Sequence, residues 1–501
     1  MTVRSFEDAL GETTLEADVV VVGTGPGGAA IARVLALGGR RVVMIEEGPP
    51  ASRFKPSMPH TMRYHMQEGG AMMAAGQAAV SVAAGRGVGG GSLINSAICW
   101  RTPEPVLDGW TEVLGGDDRF SAARMGPVYD EIGSIIGVGP TREEIAGENN
   151  KLIVRGALAL GLEAGLLTRN TPACVGCGVC NYGCPSGGKQ SVDRNLIAIA
   201  RGAGAIVQAD CKVDGLVVEG GRVRGVRGAV RHTDTGAEVG RITVRADQVV
   251  LAAGAVGTPR LLHVAGVAEA LGPAVGVGLH LHPGNAIMGL CDHEVRMWQG
   301  ATQGAYFLDH TMPDVLPHTL SLPPGALMLA LGGVGLAAKA HMKLFPRMAG
   351  CLVMVSDKGS GSVSANPDGS ARLTYWWDDR DIALMRAGLK RTCEVLVAGG
   401  ARQLIVPSVK GGWYDKIEDA YAAIDRSSIR DWALLYAAHP MATCRMGVDP
   451  ATSVIGPDGR AHGLEGLYIA DSSIFPTSLG VNPQWTTMVM ATILGRGMLA
   501  A

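Results

Sequence analysis

The chain alternates between short unbroken apolar runs that end at glycine and longer stretches whose apolar residues recur at helical spacing. Residues 18–23, DVVVVG, form a continuous β-branched run, the pattern of a parallel strand buried on both faces. The run passes into GTGPGG and then AAIARVLALGG, which predicts a helix, and RRVVMIEEG at 40–48 predicts a second strand. Residues 211–253 predict a β-meander turning at Gly220 and Gly221, after which VVLAAGAVGTPRLL repeats the order strand, glycine, helix. Further on, RLTYWWDD (372–379) predicts a strand and DIALMRAGLKRTCEVLVAGG (381–400) an amphipathic helix closed by glycine. Near the end, GLYIADSSIFP (466–476) predicts a strand entering a turn, and NPQWTTMVMATILGRGM (482–498) a helix with Pro483 in its first turn. The longest apolar run, GALMLALGGVGLAA at 325–338, is too short to span a bilayer. It is expected to be a buried helix or cavity wall rather than a membrane-surface insertion.

This texture predicts an α/β (α+β) chain with a Rossmann-like nucleotide domain that is discontinuous in sequence. A length of 501 residues exceeds a single core. The expected division is 1–290 with a cysteine-rich insertion at about 165–192, a substrate domain with an antiparallel sheet at 291–430, and a return to the first domain at 431–501. Apolar residues make up 47 % and charged residues 18 %, the balance of a soluble globular protein. A net charge of −2 gives no reason to expect nucleic acid or an acidic membrane as partner, so any membrane association is expected to be peripheral. The first residues, MTVRSFEDALGETTLEADVVVVG, carry acids where a secretory signal needs an apolar core. A cytoplasmic, reducing setting is therefore expected, and that disfavours structural disulfides.

Candidate chemistry sharpens the picture at three places. Gly23, Gly25 and Gly28 fit G-x-G-x-x-G between strand and helix, and Glu46 ends the next strand eighteen residues after Gly28. Such a unit holds a dinucleotide: the glycines permit the turn and the close approach of backbone to pyrophosphate, and the acid meets a ribose. The fingerprint alone does not separate NAD from FAD. The loop GRGVGGGSLIN (85–95), with five glycines between Gly85 and Gly91, suits backbone packed on a flat cofactor and is expected to run into a helix. His280 and His282 stand two apart in GVGLHLHPG with no third ligand arranged nearby, so a structural or cofactor-proximal role is expected. Finally, CVGCGVCNYGCP (174–185) has the spacing C-x2-C-x2-C-x3-C-P of ferredoxins. Zinc, disulfides or a metal-free loop are the other readings of that spacing.

Four motifs, in order from residue 18 to 498, together resemble the glucose–methanol–choline (GMC) oxidoreductases, FAD-dependent enzymes acting mostly on alcohols. They are GTGPGG with Glu46, GRGVGGGSLIN, GAVGTPRLL, and HPMATCRMG…LYIADSSIFPTSLGVNPQWTTM. The resemblance implies FAD contacts from Gly23, Gly25, Pro26, Gly27, Gly28, Glu46 and Glu47, from Arg86, Gly90, Gly91, Ser92 and Asn95, from Ala253 and Gly254, and from Asp471, Asn482, Pro483 and Thr486. It implies His439 as catalytic base and Asn482 as its partner at the substrate oxygen. Some relatives link FAD covalently through a histidine before the asparagine of the second motif; here that position is Ile94, which implies non-covalent FAD. Two small-for-small departures occur, Ala442 where glycine is usual and Ala265-Gly266 in place of Ser-Gly.

The cysteine run followed by GGKQS is similar to the long-chain alcohol oxidase branch and to GMC dehydrogenases that carry an iron–sulfur cluster. The expectation is a 4Fe-4S or 3Fe-4S cluster on Cys174, Cys177, Cys180 and Cys184, with Cys99, Cys211 or Cys444 as distant alternatives to Cys184. Electrons from an alcohol, expected to be bulky and apolar, would then leave through the cluster to a quinone, cytochrome or other carrier. The alternatives are an FAD-dependent alcohol oxidase using oxygen without a cluster, or a non-redox lyase on the same scaffold.

Overall fold

The structure, a computed structural model, describes residues 3–331, 335–408 and 412–500. Two sheets dominate it. The first is built on β1 (Gly11–Val22), α1 (Pro26–Leu37) and β2 (Val42–Ile45). It continues with β3 (Ile206–Gln208), β4 (Cys211–Glu219), β5 (Arg222–Arg231), β6 (Glu238–Leu251) and α2 (Gly254–Val264). Val19, Val20 and Val21 are fully buried, as a strand covered on both faces requires. Strand order is β3–β2–β1–β6–β5–β4, with β1, β2, β3 and β6 parallel and β4–β5–β6 the predicted antiparallel meander. Gly220 and Gly221 form the two-residue turn between β4 and β5, both at positive φ (59° and 79°), which only glycine adopts cheaply in succession.

Among the described residues the second sheet has 13 strands, chiefly antiparallel. Near its centre β7 (Gly284–Cys291) pairs with β9 (Met348–Val355), which pairs in turn with β8 (Val315–Thr319), while β10 (Ser360–Ala365) and β11 (Ala371–Trp376) pair with each other farther out. The strands Met73–Gly76, Val80–Val82 and Glu163–Leu166 also pair into this sheet. α3 (Asp379–Ala398), capped by the Asp378 side chain, packs on it; Gly400 at φ 109° ends the run, as the glycine stop predicts. β12 (Ala401–Ile405) follows. The chain then returns to the first sheet through β13 (Leu467–Ile469), parallel to β6, and α4 (Gln484–Ala500), which packs on α1 with Gly495 against Ile31 and Val34.

Two expectations are corrected here. The loop 85–95 does not run into a helix: it makes a single 3-10 turn, Gly90–Leu93. Gly87, Gly89, Gly90 and Ala97 all lie at positive φ, and such a chain cannot propagate a right-handed helix. The apolar run 325–338 is split between helices Pro324–Leu331 and Gly335–Lys343, and residues 332–334 lie outside the described residues. Leu327 is buried, whereas Met328 and Leu336 face solvent. No helix among the described residues is long and apolar enough to cross a membrane.

Candidate active site

A cavity of about 1020 Å³ runs from the loops at the C-terminal end of the first sheet to the face of the second. At the nucleotide end the walls are backbone. A Cβ on Gly27 would stand 2.0 Å from the Ala470 carbonyl, one on Gly23 2.3 Å from the Ala252 carbonyl, and one on Gly90 2.7 Å from Gly25 Cα. Gly28 lies behind the wall, where a Cβ would strike the Gly23 carbonyl at 2.1 Å. α1 begins at Pro26 with no side chain capping it, so the N–H groups of its first turn are free for an anion. This shape fits the pyrophosphate of a dinucleotide.

Glu46 is fully engaged by the protein. Its Oε2 accepts from the Thr24 N–H (3.1 Å) and hydroxyl (2.7 Å), and its Oε1 from the N–H groups of Gly48 (3.1 Å) and Gly87 (2.9 Å). It thereby ties the first glycine loop to the second. Glu47 also lines the cavity; burial pushes its carboxyl up, but Lys212, Arg86 and Arg260 outweigh burial and hold it below the ordinary range. Arg86, Gly25, Pro26, Gly91, Ala253, Gly254 and Pro483 line the same cavity. Asp471 also lines it and ties its own turn to α2, accepting from the Gly254 N–H (2.9 Å), the Thr258 hydroxyl (2.6 Å) and the Ser473 N–H (2.8 Å).

Two expected contacts sit in a supporting layer. Ser92 donates to the Gly89 carbonyl (2.6 Å) and accepts from the Val192 N–H (3.1 Å). Thr486 is bonded to Thr102 (2.8 Å) and Tyr129 (2.9 Å). On α4 it is Gln484 and Thr487 that reach the wall, and Asn95 Nδ2 donates to Gln484 Oε1 at 2.7 Å. Helical phase could have exposed this, since 484 and 487 share a face that 486 does not.

The other end of the cavity is built of side chains. His439 and Asn482, far apart in sequence, meet there, with Asn482 Nδ2 donating to His439 Nε2 at 3.0 Å. Burial holds the His439 imidazole well below its ordinary pKa; His282 and His318 lower it further and Asp357 opposes them. Asp357 is wholly buried and accepts from the Leu281 N–H, the Tyr375 hydroxyl and the Ser478 hydroxyl, each at 2.8 Å. Burial alone would raise it, but His280, His282 and the Leu281 N–H bring it down to about 2. His318, on β8, lines the cavity directly opposite Leu352 in register. Beyond it Ala286, Leu320 and Leu352 cluster, with Leu322 and Leu434 packed on them, and all five line the cavity. The two histidines 280 and 282 do not share a strand face: the strand Val277–Leu279 stops before them, and His282 turns left-handed at φ 48°.

The cysteine loop abuts this cavity through Asn181 and Tyr182. Burial pushes the Cys177 thiol up, and Cys180, Cys184 and Cys174 add to the rise, so the four thiols are near neighbours. Cys177 is exposed while Cys174 and Cys180 are buried, and all ten cysteines are free thiols. Cys180 Sγ accepts from Arg169 Nη2 (3.2 Å) and Cys184 Sγ from the Lys189 N–H (3.1 Å). Among the described residues no three His, Cys, Asp or Glu side chains are placed to hold a metal ion. The ferredoxin-like spacing therefore finds no support as a ligand set in the arrangement.

Comparison with known proteins agrees with the geometry. GMC oxidoreductase family models match residues 62–284 and 357–491. A GMC-type oxidoreductase of Mycobacterium tuberculosis is 34 % identical over 95 % of this chain and 74 % of its own length. A long-chain-alcohol oxidase of Arabidopsis thaliana is 28 % identical over 95 % of this chain and 66 % of its own length. Among solved structures, pyridoxine 4-oxidase from Mesorbium loti superposes with a TM-score of 0.72 at 19 % identity, covering 96 % of this chain and 98 % of that one. Formate oxidase superposes with 0.74 at 14 %, covering 97 % and 99 %. Motif order, a cavity walled by glycine backbone and these relatives converge: the chain belongs to the GMC oxidoreductases and is an FAD-dependent oxidoreductase acting on alcohol-type donors.

Proposed function

We propose that the protein oxidises an apolar alcohol with non-covalently bound FAD and passes the electrons to dioxygen, with His439 as base and Asn482 as the partner of the substrate oxygen. The observation that carries this reading is the His439–Asn482 contact at the side-chain end of the cavity. Because the amide N–H donates to Nε2, that nitrogen is unprotonated. A substrate hydroxyl that replaces this direct contact, donating to Nε2 and accepting from Nδ2, would lose its proton to the imidazole while the amide steadies the growing negative charge. Bound FAD supplies the two-electron acceptor for the hydride that departs from the carbinol carbon. The residues that would hold it are the uncapped first turn of α1, Glu47, and the loops at Arg86–Gly91 and Ala253–Gly254. Ile94 lines the cavity and offers no atom for a covalent link.

Ala286, Leu320, Leu352 and Leu434 favour a substrate with an apolar tail, in keeping with the long-chain-alcohol oxidase among the relatives. Dioxygen as acceptor is favoured by oxidases among both relatives and structural neighbours, and no step is routed through a cluster. The test is anaerobic mixing of the FAD-loaded protein with primary alcohols of increasing chain length. Bleaching of the flavin, followed by one hydrogen peroxide per alcohol when air is admitted, is the expected result. A flavin that stays yellow with every alcohol, or one that bleaches and is not restored by oxygen, refutes the corresponding half of the proposal.

A further inference from the structure

His282 stands out at the site because it carries two local costs. Its φ of 48° is the left-handed conformation that residues with a side chain adopt rarely and that persists only when the surroundings enforce it. Its side chain is buried and lines the cavity, yet Nδ1 has no hydrogen-bond partner. The surroundings that enforce this are visible. The Gly480 N–H donates to His282 Nε2 at 2.9 Å, so Nε2 is unprotonated and the ring's proton sits on Nδ1. Gly480 is two residues before Asn482, the residue in contact with His439. The His282 and His439 rings meet edge to face, with centroids 5.4 Å apart and planes at 80°. Asp357 binds the His282 segment and the 478–482 loop together, through the Leu281 N–H on one side and the Ser478 hydroxyl on the other.

Resting on the reading of His439 as base, we propose that His282 is a positioning residue: its imidazole, locked in the Nδ1–H form by Gly480, fixes the plane of the His439 ring and couples it to the loop that presents Asn482. The aromatic edge-to-face contact sets the ring plane, and the backbone bond ties that plane to the position of Asn482. A base and its partner must be held to within a fraction of an ångström, and a displacement of about 1 Å costs on the order of 100-fold in rate. Burial also lowers the His282 pKa to about 4, with Asp357 opposing and His280 adding to the fall, so the locked neutral form persists through the physiological range.

The experiment compares wild type with His282→Asn and His282→Phe, all loaded with FAD. Asparagine tolerates the left-handed backbone, so it separates loss of the ring from loss of the turn. Anaerobic flavin reduction by an alcohol that reduces the wild type is expected to slow roughly 10- to 100-fold in both variants, with the apparent substrate affinity changed less than the rate. Flavin content should stay at the wild-type level in His282→Asn. Reduction per bound flavin equal to wild type, or a loss that merely tracks flavin content, overturns the proposal. A second measurement needs no substrate: ¹⁵N spectra of histidine-labelled holoprotein should show His282 protonated at Nδ1, and the His439 signals should move in His282→Asn. An Nε2–H form at His282, or His439 signals unmoved by the substitution, overturns it even where no alcohol reduces the flavin. Conversely, a wild type inert to every alcohol defeats the proposed function without touching this test.

Discussion

The two sheets shape the cavity by opposite means. The parallel sheet contributes mostly what is missing: glycines at 23, 25, 27 and 90 leave backbone bare where any Cβ would collide or fill the gap between loops. The antiparallel sheet contributes side chains, with His318, Leu352, Met354 and Ala286 projecting from β7, β8 and β9. The difference teaches that cofactor retention and chemistry depend on separable parts of one cavity. A substitution among side chains can abolish reaction while leaving the cradle intact.

The sharpest way to break that separation is His439→Ala. The imidazole touches none of the glycine loops through a hydrogen bond, since its contact is Asn482. Flavin reduction should fall by roughly 10²- to 10⁴-fold while FAD remains bound. Stopped-flow reduction beside the visible spectrum of the purified variant checks both halves, and a colourless variant would show that the two ends are not independent. A smaller effect is expected at the tail. Leu352→Ala removes apolar surface from the wall opposite His318 and should lower kcat/KM for a long alcohol relative to a short one by roughly 10-fold or more. An unchanged ratio places the tail elsewhere in the cavity.

Smaller still is the expected response to acid. The base works only when neutral, and burial holds His439 below its ordinary value of 6.5, with His282 and His318 lowering it further and Asp357 opposing. A base with a depressed pKa keeps its lone pair as pH falls, so its loss of activity is displaced toward acid. Between pH 8 and pH 6 the anaerobic reduction rate should change by less than about threefold, because an unshifted histidine would be mostly protonated at the lower value. A limb centred at or above 6.5 would mean that solvent reaches the ring in the working enzyme.

The same contrast governs what could be read from the sequence. The first motif was legible because collision leaves a compositional trace: Gly27 has no room for a Cβ beside the Ala470 carbonyl, and any sequence folding this way needs glycine there. The meander and α3 were legible from period and turn residues. The substrate end was not, because antiparallel register brings together positions 286, 318 and 352 and a distant turn adds Leu434, and these share no local pattern. Conformation misled the reading of 85–95, where the helix was expected and several left-handed residues stand instead. His280 and His282 stand past the end of the strand Val277–Leu279, and no sequence pattern signals that His282 lies left-handed beside His439. The cysteine spacing matches a ferredoxin, but spacing alone does not place the thiols as a set of metal ligands.

The smallest effect is expected at Ala442, three residues after the base. The family resemblance puts glycine here, and the backbone explains why, since φ is 67°. An L-residue in this conformation costs about 1–2 kcal/mol. Replacing it with glycine removes that cost but adds about 0.5–1 kcal/mol of unfolded-state entropy and exchanges away a buried methyl, about 0.8 kcal/mol. The three contributions nearly cancel, so Ala442→Gly should leave stability within about 1 kcal/mol of wild type. Ala442→Val has no such cancellation, because a β-branched residue is a true outlier at positive φ, and it should destabilise clearly in the same denaturation experiment. If the glycine form instead lost more than about 2 kcal/mol, the methyl would be packing the turn 439–443 against the His280–Met441 bridge, and the side-chain end of the cavity would depend on that turn as well.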